Sequence, residues 1–216
     1  MYKIELQGET FFLHPEKAVF WESESILLLA DLHLGKGAHF RKAGIAVPVA
    51  VQTANFNRLR KTIEDCEPQR VLFLGDLFHS HHNHVWELLK EFITAYPRIS
   101  FELVPGNHDI LAEYHYAASL LDIHPAIYEV SIFTFSHHPL STTEQVEGKY
   151  NFCGHIHPSV RLRSTNGKGG LRVPCFYFGK HQAILPAFGE FTGTANIKVE
   201  EGDRIFVPVE GQVIGL

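Results

Sequence analysis

Five apolar runs in this chain each end in a short polar cluster of Asp, His and Asn. Ile26–Ala30 leads into Asp31-Leu32-His33, and Val71–Gly75 leads into Asp76. Phe101–Val104, through Pro105-Gly106, leads into Asn107-His108-Asp109. Ile132–Ser136 leads into His137-His138, and Asn151–Gly154 leads into His155-Ile156-His157. Carboxylates, an amide oxygen and imidazoles, with no thiolate among them, suit Mn²⁺, Fe or Zn²⁺ better than a structural zinc site built on cysteine. Asp31 and His33 stand two apart, as do His155 and His157, and at a strand end such residues point to one side. Each pair can then reach one cation, while the two oxygens of Asp76 can bridge two. Two ions roughly 3.5–4 Å apart clamp a phosphoryl group and acidify a shared water. The chemistry expected is therefore attack by a hydroxide in line with phosphorus. The residues alone leave open which of His137 and His138 takes part.

The runs read as buried strands, and in an α/β sheet the loops at the carboxyl ends of strands meet in one crevice. Apolar residues at helical spacing predict helices from Val49 to about Asp65 and from His84 to Tyr96, with a short helix over 110–121. Strand and helix alternate in the first half, and strands dominate the second. That order predicts an α/β fold, a four-layer α/β/β/α sandwich of two mixed sheets, in a single domain spanning 1–216.

Composition narrows the class. The 216 residues carry a net charge of −5 with 15 histidines counted neutral, which is not the profile of a general nucleic-acid coat protein. A nuclease is compatible, since it needs only a local positive rim. No apolar stretch reaches the roughly 18 residues that span a bilayer, and the N-terminus shows no secretory pattern. Three cysteines without C-x-x-C spacing read as reduced residues of a cytoplasmic protein.

The motifs D-x-H, G-D, G-N-H-D, a later His and G-H-x-H, in this order over about residues 25–160, resemble the calcineurin-like metallophosphoesterase superfamily. The resemblance implies one metal on Asp31, His33, Asp76 and His157, and a second on Asp76, Asn107, His137 and His155. In the family's H-H-P pattern the first His is the ligand, hence His137. His108 matches the family's catalytic His, which stabilises the transition state or protonates the leaving oxygen. Asp109 either orients that imidazole or structures the loop.

Two stretches narrow the substrate. Lys36, Arg41 and Lys42 follow the first ligand pair and form a candidate positive rim for phosphates beyond the scissile one. This region and the chain length resemble the bacterial DNA-ligase-associated metallophosphoesterases, encoded with DNA-repair proteins, which implies ligase or helicase partners. The stretch Gly75–Ser80 resembles the repair-nuclease branch, making His79 a candidate catalytic residue. A second basic group comprises Arg161, Arg163, Lys168, Arg172 and Lys180. It reads either as a phosphate-contacting edge or as a charged guard against strand pairing. The leading expectation is a phosphodiesterase or nuclease with two divalent ions, most simply Mn²⁺, acting on DNA or RNA in repair. A small-molecule phosphomonoesterase or cyclic-nucleotide phosphodiesterase would share the metal chemistry, and a non-catalytic repair scaffold would not need all seven ligands.

Overall fold

The computed structural model describes residues 1–37, 50–78, 84–110, 116, 120–163, 170–190 and 192–216, with side chains at all of these except 50–53, 84 and 163. Seven strands build the first sheet in chain order: β1 (Tyr2–Leu6), β2 (Glu9–His14), β3 (Ala18–Trp21), β4 (Ile26–Leu29), β5 (Arg70–Leu74), β6 (Ser100–Val104) and β7 (Leu121–Ile123). The first four are antiparallel neighbours, whereas β4 to β7 run parallel. Helix α1 (Ala50–Cys66) makes the crossover from β4 to β5, and α2 (His84–Thr94) lies between β5 and β6.

The second sheet also has seven strands, in the order β17-β16-β13-β14-β10-β9-β8. These are β8 (Ile127–Val130), β9 (Phe133–Ser136), β10 (Tyr150–Cys153), β13 (Phe176–Phe178), β14 (Gln182–Ile184), β16 (Arg204–Val209) and β17 (Gln212–Gly215). Here β9, β10 and β14 are parallel and the remaining pairs antiparallel. A small third sheet, β12-β11-β15, comprises β11 (Pro158–Arg163), β12 (Gly170–Pro174) and β15 (Ala195–Asn196).

The alternation of side chains explains the layers. In β4, Ile26 and Leu28 join the core between the two large sheets, while Leu27 and Leu29 face the helices. In β5, Leu72 and Leu74 face one way, and Val71 and Phe73 the other. Strands buried on both faces need such unbroken apolar runs. Between the sheets, Phe11, Trp21, Phe133, Phe135 and Phe152 form an aromatic block, with Trp21 edge-on to Phe133 at 4.9 Å. The other face of the first sheet is covered by Leu59 and Ile63 of α1 and by Val85, Trp86, Leu89, Phe92 and Ile93 of α2. These positions recur at helical spacing, as expected from the sequence.

The α/β class with two mixed sheets back to back is the expected architecture. Over the outer face of the second sheet the described residues hold β strands: Val160 and Val173 of the small sheet pack on Ile205 and Val207. A hairpin can cover that face because its own alternation supplies one apolar side. Most of the short helix expected over 110–121 lies outside the described residues, and its last residue, Leu121, begins β7. The three cysteines are buried and unpaired, and burial pushes the thiols of Cys66 and Cys175 up to about 12. Among the described residues no helix is long and apolar enough to cross a membrane.

For the site, one topological fact matters. β4, β5 and β6 of one sheet and β9 and β10 of the other are parallel within their sheets, and each polar cluster follows one of their carboxyl ends. The meeting place is a seam between two packed sheets rather than a crevice along one.

Candidate metal centre

The first cluster continues the parallel pairing beyond β4 and β5. The Asp31 amide donates to Gly75 O at 3.2 Å, and the His33 amide donates to Asp76 O at 2.8 Å. The backbone here is not extended. Asp31 (φ 55°), His33 (φ 47°), Asp76 (φ 48°), His155 (φ 67°) and His157 (φ 51°) all adopt left-handed conformations. Such conformations are uncommon outside glycine and cluster where the surrounding structure holds a functional geometry. The alternation of a strand pleat is therefore not what aims these side chains. Asp31 and His33 do converge, and His157 joins them, with ligand atoms all within 4.8 Å of one another. His155 and His157, by contrast, diverge: His155 groups with His137 and His138.

Two nests of acceptor atoms result, with Asp76 between them. In the first, His33 Nε2 and His157 Nε2 lie 3.4 Å apart, and Asp76 Oδ2 is 3.8 Å from His33 Nε2. In the second, His137 Nε2 lies 3.0 Å from Asn107 Oδ1, 3.1 Å from His155 Nδ1 and 3.4 Å from Asp76 Oδ1. The remaining ring nitrogens explain the arrangement. His137 Nδ1–H donates to Leu74 O at 3.1 Å, and His157 Nδ1–H donates to Gly193 O at 2.9 Å. Each Nε2 then presents a lone pair to the nest, the usual role of an outer partner in fixing a metal-binding tautomer.

The donor set fits divalent cations. With Nδ1–H of His137 committed to Leu74 O, its Nε2 and Asn107 Oδ1, 3.0 Å apart, can both turn lone pairs to a shared cation. Asp31, fully buried, accepts the His155 amide on Oδ2 at 2.9 Å, but its Oδ1 makes no hydrogen bond among the described residues. That oxygen lies 3.5 Å from His157 Nε2. Burial opposes a charged His157, but Asp31 and the Gly193 carbonyl outweigh it and raise its pKa, so this nest favours positive charge. His155 and His138 are held below the ordinary histidine range, by burial first and then by neighbouring imidazoles.

The glycine in three of the motifs has a steric cause. A Cβ on Gly75, itself at φ +74°, would stand 2.2 Å from His137 Nδ1. One on Gly106 would stand 2.4 Å from Asp76 Oδ1, and one on Gly154 would stand 2.5 Å from Asp31 Oδ2. Each motif's glycine makes room for the candidate ligand of another motif.

His108 is half-buried, its amide donates to Asp76 Oδ1 at 2.9 Å, and its ring lies 5.5 Å from that of His33. Asp109 braces the loop: its carboxylate accepts the amides of Phe78 at 3.1 Å and Gly106 at 2.9 Å, while burial pushes its pKa up to about 6. Of the expected rim, Lys36 lies close enough to feel Asp76 and Asp31, with burial lowering its pKa against their attraction. Arg41, Lys42 and His79 fall outside the described residues.

The sequence left His138 open beside His137, and a second feature it missed altogether. His138 is exposed, and its ring centroid lies 4.0 Å from that of His155. Phe188–Glu190 and Gly193 strap the centre: Phe188 and Gly189 amides donate to Ala30 O and Asp31 O, and Gly193 O holds His157. Arg58 of α1 pins that strap, donating to Phe188 O at 2.9 Å and Glu190 Oε1 at 2.7 Å, while its Nε holds Glu16 at 2.7 Å. Only the two glycines of Gly189–Gly193 hint at this in the sequence, and nothing there links them to Arg58.

Comparison with known proteins gives the family. The family model for calcineurin-like phosphoesterase matches residues 24–190. No curated protein matches the sequence. The crystal structure of the nuclease MPE of Pseudomonas putida superimposes with a TM-score of 0.80 at 25% identity, covering 100% of this chain and 99% of that one. Yfce, a phosphoesterase from E. coli, aligns at a TM-score of 0.42 and 13% identity, covering 88% of this chain and 96% of that one. With the family match spanning most of the sequence and two His/Asp nests able to hold divalent metal, the chain belongs to the calcineurin-like phosphoesterases and is a metal-dependent phosphoester hydrolase.

Proposed function

We propose that this protein is a single-domain phosphodiesterase with two divalent ions that cleaves nucleic-acid backbones. The observation that carries the reading is the position of Asp76, whose two oxygens face two separate nests of acceptors, 3.4 Å from His137 and 3.8 Å from His33. Asp31, His33, Asp76 and His157 would hold one ion, and Asp76, Asn107, His137 and His155 the other. When bound, the ions, most simply Mn²⁺ for this N/O set, would neutralise phosphate charge and acidify a water. His108, its ring 5.5 Å from that of His33, would hydrogen-bond the phosphoryl group or protonate the leaving oxygen. Asp109 acts through the loop it braces, and Lys36, with Arg41 and Lys42, supplies positive charge for flanking phosphates. His79, three residues after Asp76 in the sequence, assists nuclease action. One domain is supported by the core between the sheets, which draws on residues from Ile4 to Val213. The full-length likeness to a nuclease favours nucleic acid over a small phosphomonoester. A cytoplasmic role in DNA repair, beside a ligase or helicase, is the setting proposed.

The test is hydrolysis by metal-loaded protein of bis(p-nitrophenyl) phosphate, p-nitrophenyl phosphate, cyclic nucleotides and DNA and RNA oligonucleotides. Diester and oligonucleotide cleavage with two ions bound per chain is expected. Monoester hydrolysis alone, or no cleavage of any diester with Mn²⁺, Fe²⁺ or Zn²⁺, would overturn the proposal.

A further inference from the structure

We infer that the outer face of the small sheet β12-β11-β15 is a track for the sugar–phosphate backbone of a nucleic-acid strand running away from the metal centre. The inference rests on the nucleic-acid substrate proposed above. β11 begins at Pro158, the residue after His157, so the strand is a direct extension of a candidate ligand. Its inward side chains are spent on packing: Val160 of β11 and Val173 of β12 are buried against the second sheet, and Leu162 is partly buried beside them. The alternation therefore turns Arg161 outward, and the antiparallel register sets it directly opposite Arg172 of β12. Both are exposed.

Like charges directly opposed across a strand pair repel one another. Among the described residues neither arginine has an acidic partner, in a chain whose net charge is −5. A guard against edge pairing accounts for an arginine on β12, and on β11 beyond Pro158 and Ser159, where the pairing with β15 stops, but it gives no reason to set the two directly opposite one another. A polyanion seated between the two explains both. Arg161 is four residues beyond His157, about 13 Å along an extended strand. With a rise of about 3.4 Å per nucleotide, the pair would meet phosphates roughly four nucleotides from the scissile bond. Lys180, of the same basic group in the sequence, is placed elsewhere. It lies in the turn before β14, at the amino end of a strand parallel to β10, whereas the centre lies at the carboxyl ends.

The experiment compares wild type with Arg161→Ala/Arg172→Ala and Arg161→Glu/Arg172→Glu, all metal-loaded. It measures kcat/KM for a labelled single-stranded DNA 20-mer and for bis(p-nitrophenyl) phosphate from 50 to 300 mM KCl. The ratio of oligonucleotide to small-substrate kcat/KM is expected to fall at least tenfold in the alanine pair and further in the glutamate pair. The salt slope for the oligonucleotide should flatten by about 0.7 for each phosphate that the variant no longer neutralises. A ratio within twofold of wild type with an unchanged slope would overturn the track. So would an equal loss on both substrates, which would assign the arginines to the fold. Wild type that hydrolyses the small diester but no oligonucleotide would instead overturn the nucleic-acid reading, and the track with it.

Discussion

Replacing Gly154 by alanine puts a methyl group where the carboxylate of Asp31 now sits. The new Cβ would stand 2.5 Å from Asp31 Oδ2 and 2.7 Å from Ala30 Cβ, against an ordinary contact limit of 3.4 Å. Ala30 Cβ is fixed by its backbone, so the carboxylate must retreat by about 0.9 Å, the shortfall from that limit. Retreat strains the Oδ2 bond to the His155 amide, now 2.9 Å. Overpacking costs about 1–3 kcal/mol and a stranded buried amide about 1–3 kcal/mol more. With partial relaxation, a loss of about 2–4 kcal/mol is expected, or roughly 5–15 °C in Tm for a chain of this size. A misplacement of this order at a reacting centre costs about 10²-fold in rate. Gly193→Ala is the control, because a Cβ there meets nothing within 4 Å and the backbone needs no left-handed conformation. The assays are thermal unfolding of the metal-free protein and a calorimetric Mn²⁺ titration. Should Gly154→Ala match Gly193→Ala in both Tm and metal affinity, the claim that this glycine makes room for Asp31 is wrong.

Further outcomes follow from the same geometry. Asp76→Ala should reduce bound metal from two ions to one or none and abolish diester hydrolysis, read by metal analysis and turnover. His108→Ala keeps the backbone amide that serves Asp76, so metal stoichiometry should hold while kcat falls about 10²–10⁴-fold. Arg58→Ala releases Phe188–Glu190 beside Ala30 and Asp31, and should weaken one of the two Mn²⁺ affinities about 10–100-fold with the other little changed. Glu102 is buried with Arg70 at 2.6 and 2.7 Å and His124 at 2.7 Å. Burial opposes its charge, but these partners outweigh it and lower its pKa below the ordinary value of 4.5. Its stabilisation is therefore present above pH 4.5 and is lost as pH falls through the depressed pKa. Glu102→Gln should lower stability at pH 7 by about 2 kcal/mol and narrow its gap to wild type in more acid solution, read by urea midpoints.

Sequence by itself determined the strands, the order of the motifs and the class of chemistry, because unbroken apolar runs have few uses other than a doubly buried strand. It was enough to place β4, β5, β6, β9 and β10 within a residue at either end and to set helices within a residue or two of α1 and α2. It also marked every candidate ligand, since Asp, His and Asn at five strand ends is a pattern that packing alone does not ask for. What it did not carry was direction. The i, i+2 rule predicted that His155 and His157 would point together, yet left-handed backbone at both sends them to different nests. No local signal marks such a conformation in Asp or His, because it is held by tertiary contacts: the Gly193 carbonyl on the His157 ring, and amides on the Asp31 and Asp76 carboxylates. Tertiary structure also decided that motif glycines make room for ligands distant in the chain, as Gly154 does for Asp31. The same holds for Arg58, a helix surface residue by its sequence, which secures the strap over the centre. Side-chain type is a local property that the chain displays directly. The space each side chain needs is set by whatever the fold brings beside it, and only the packed sheets reveal that.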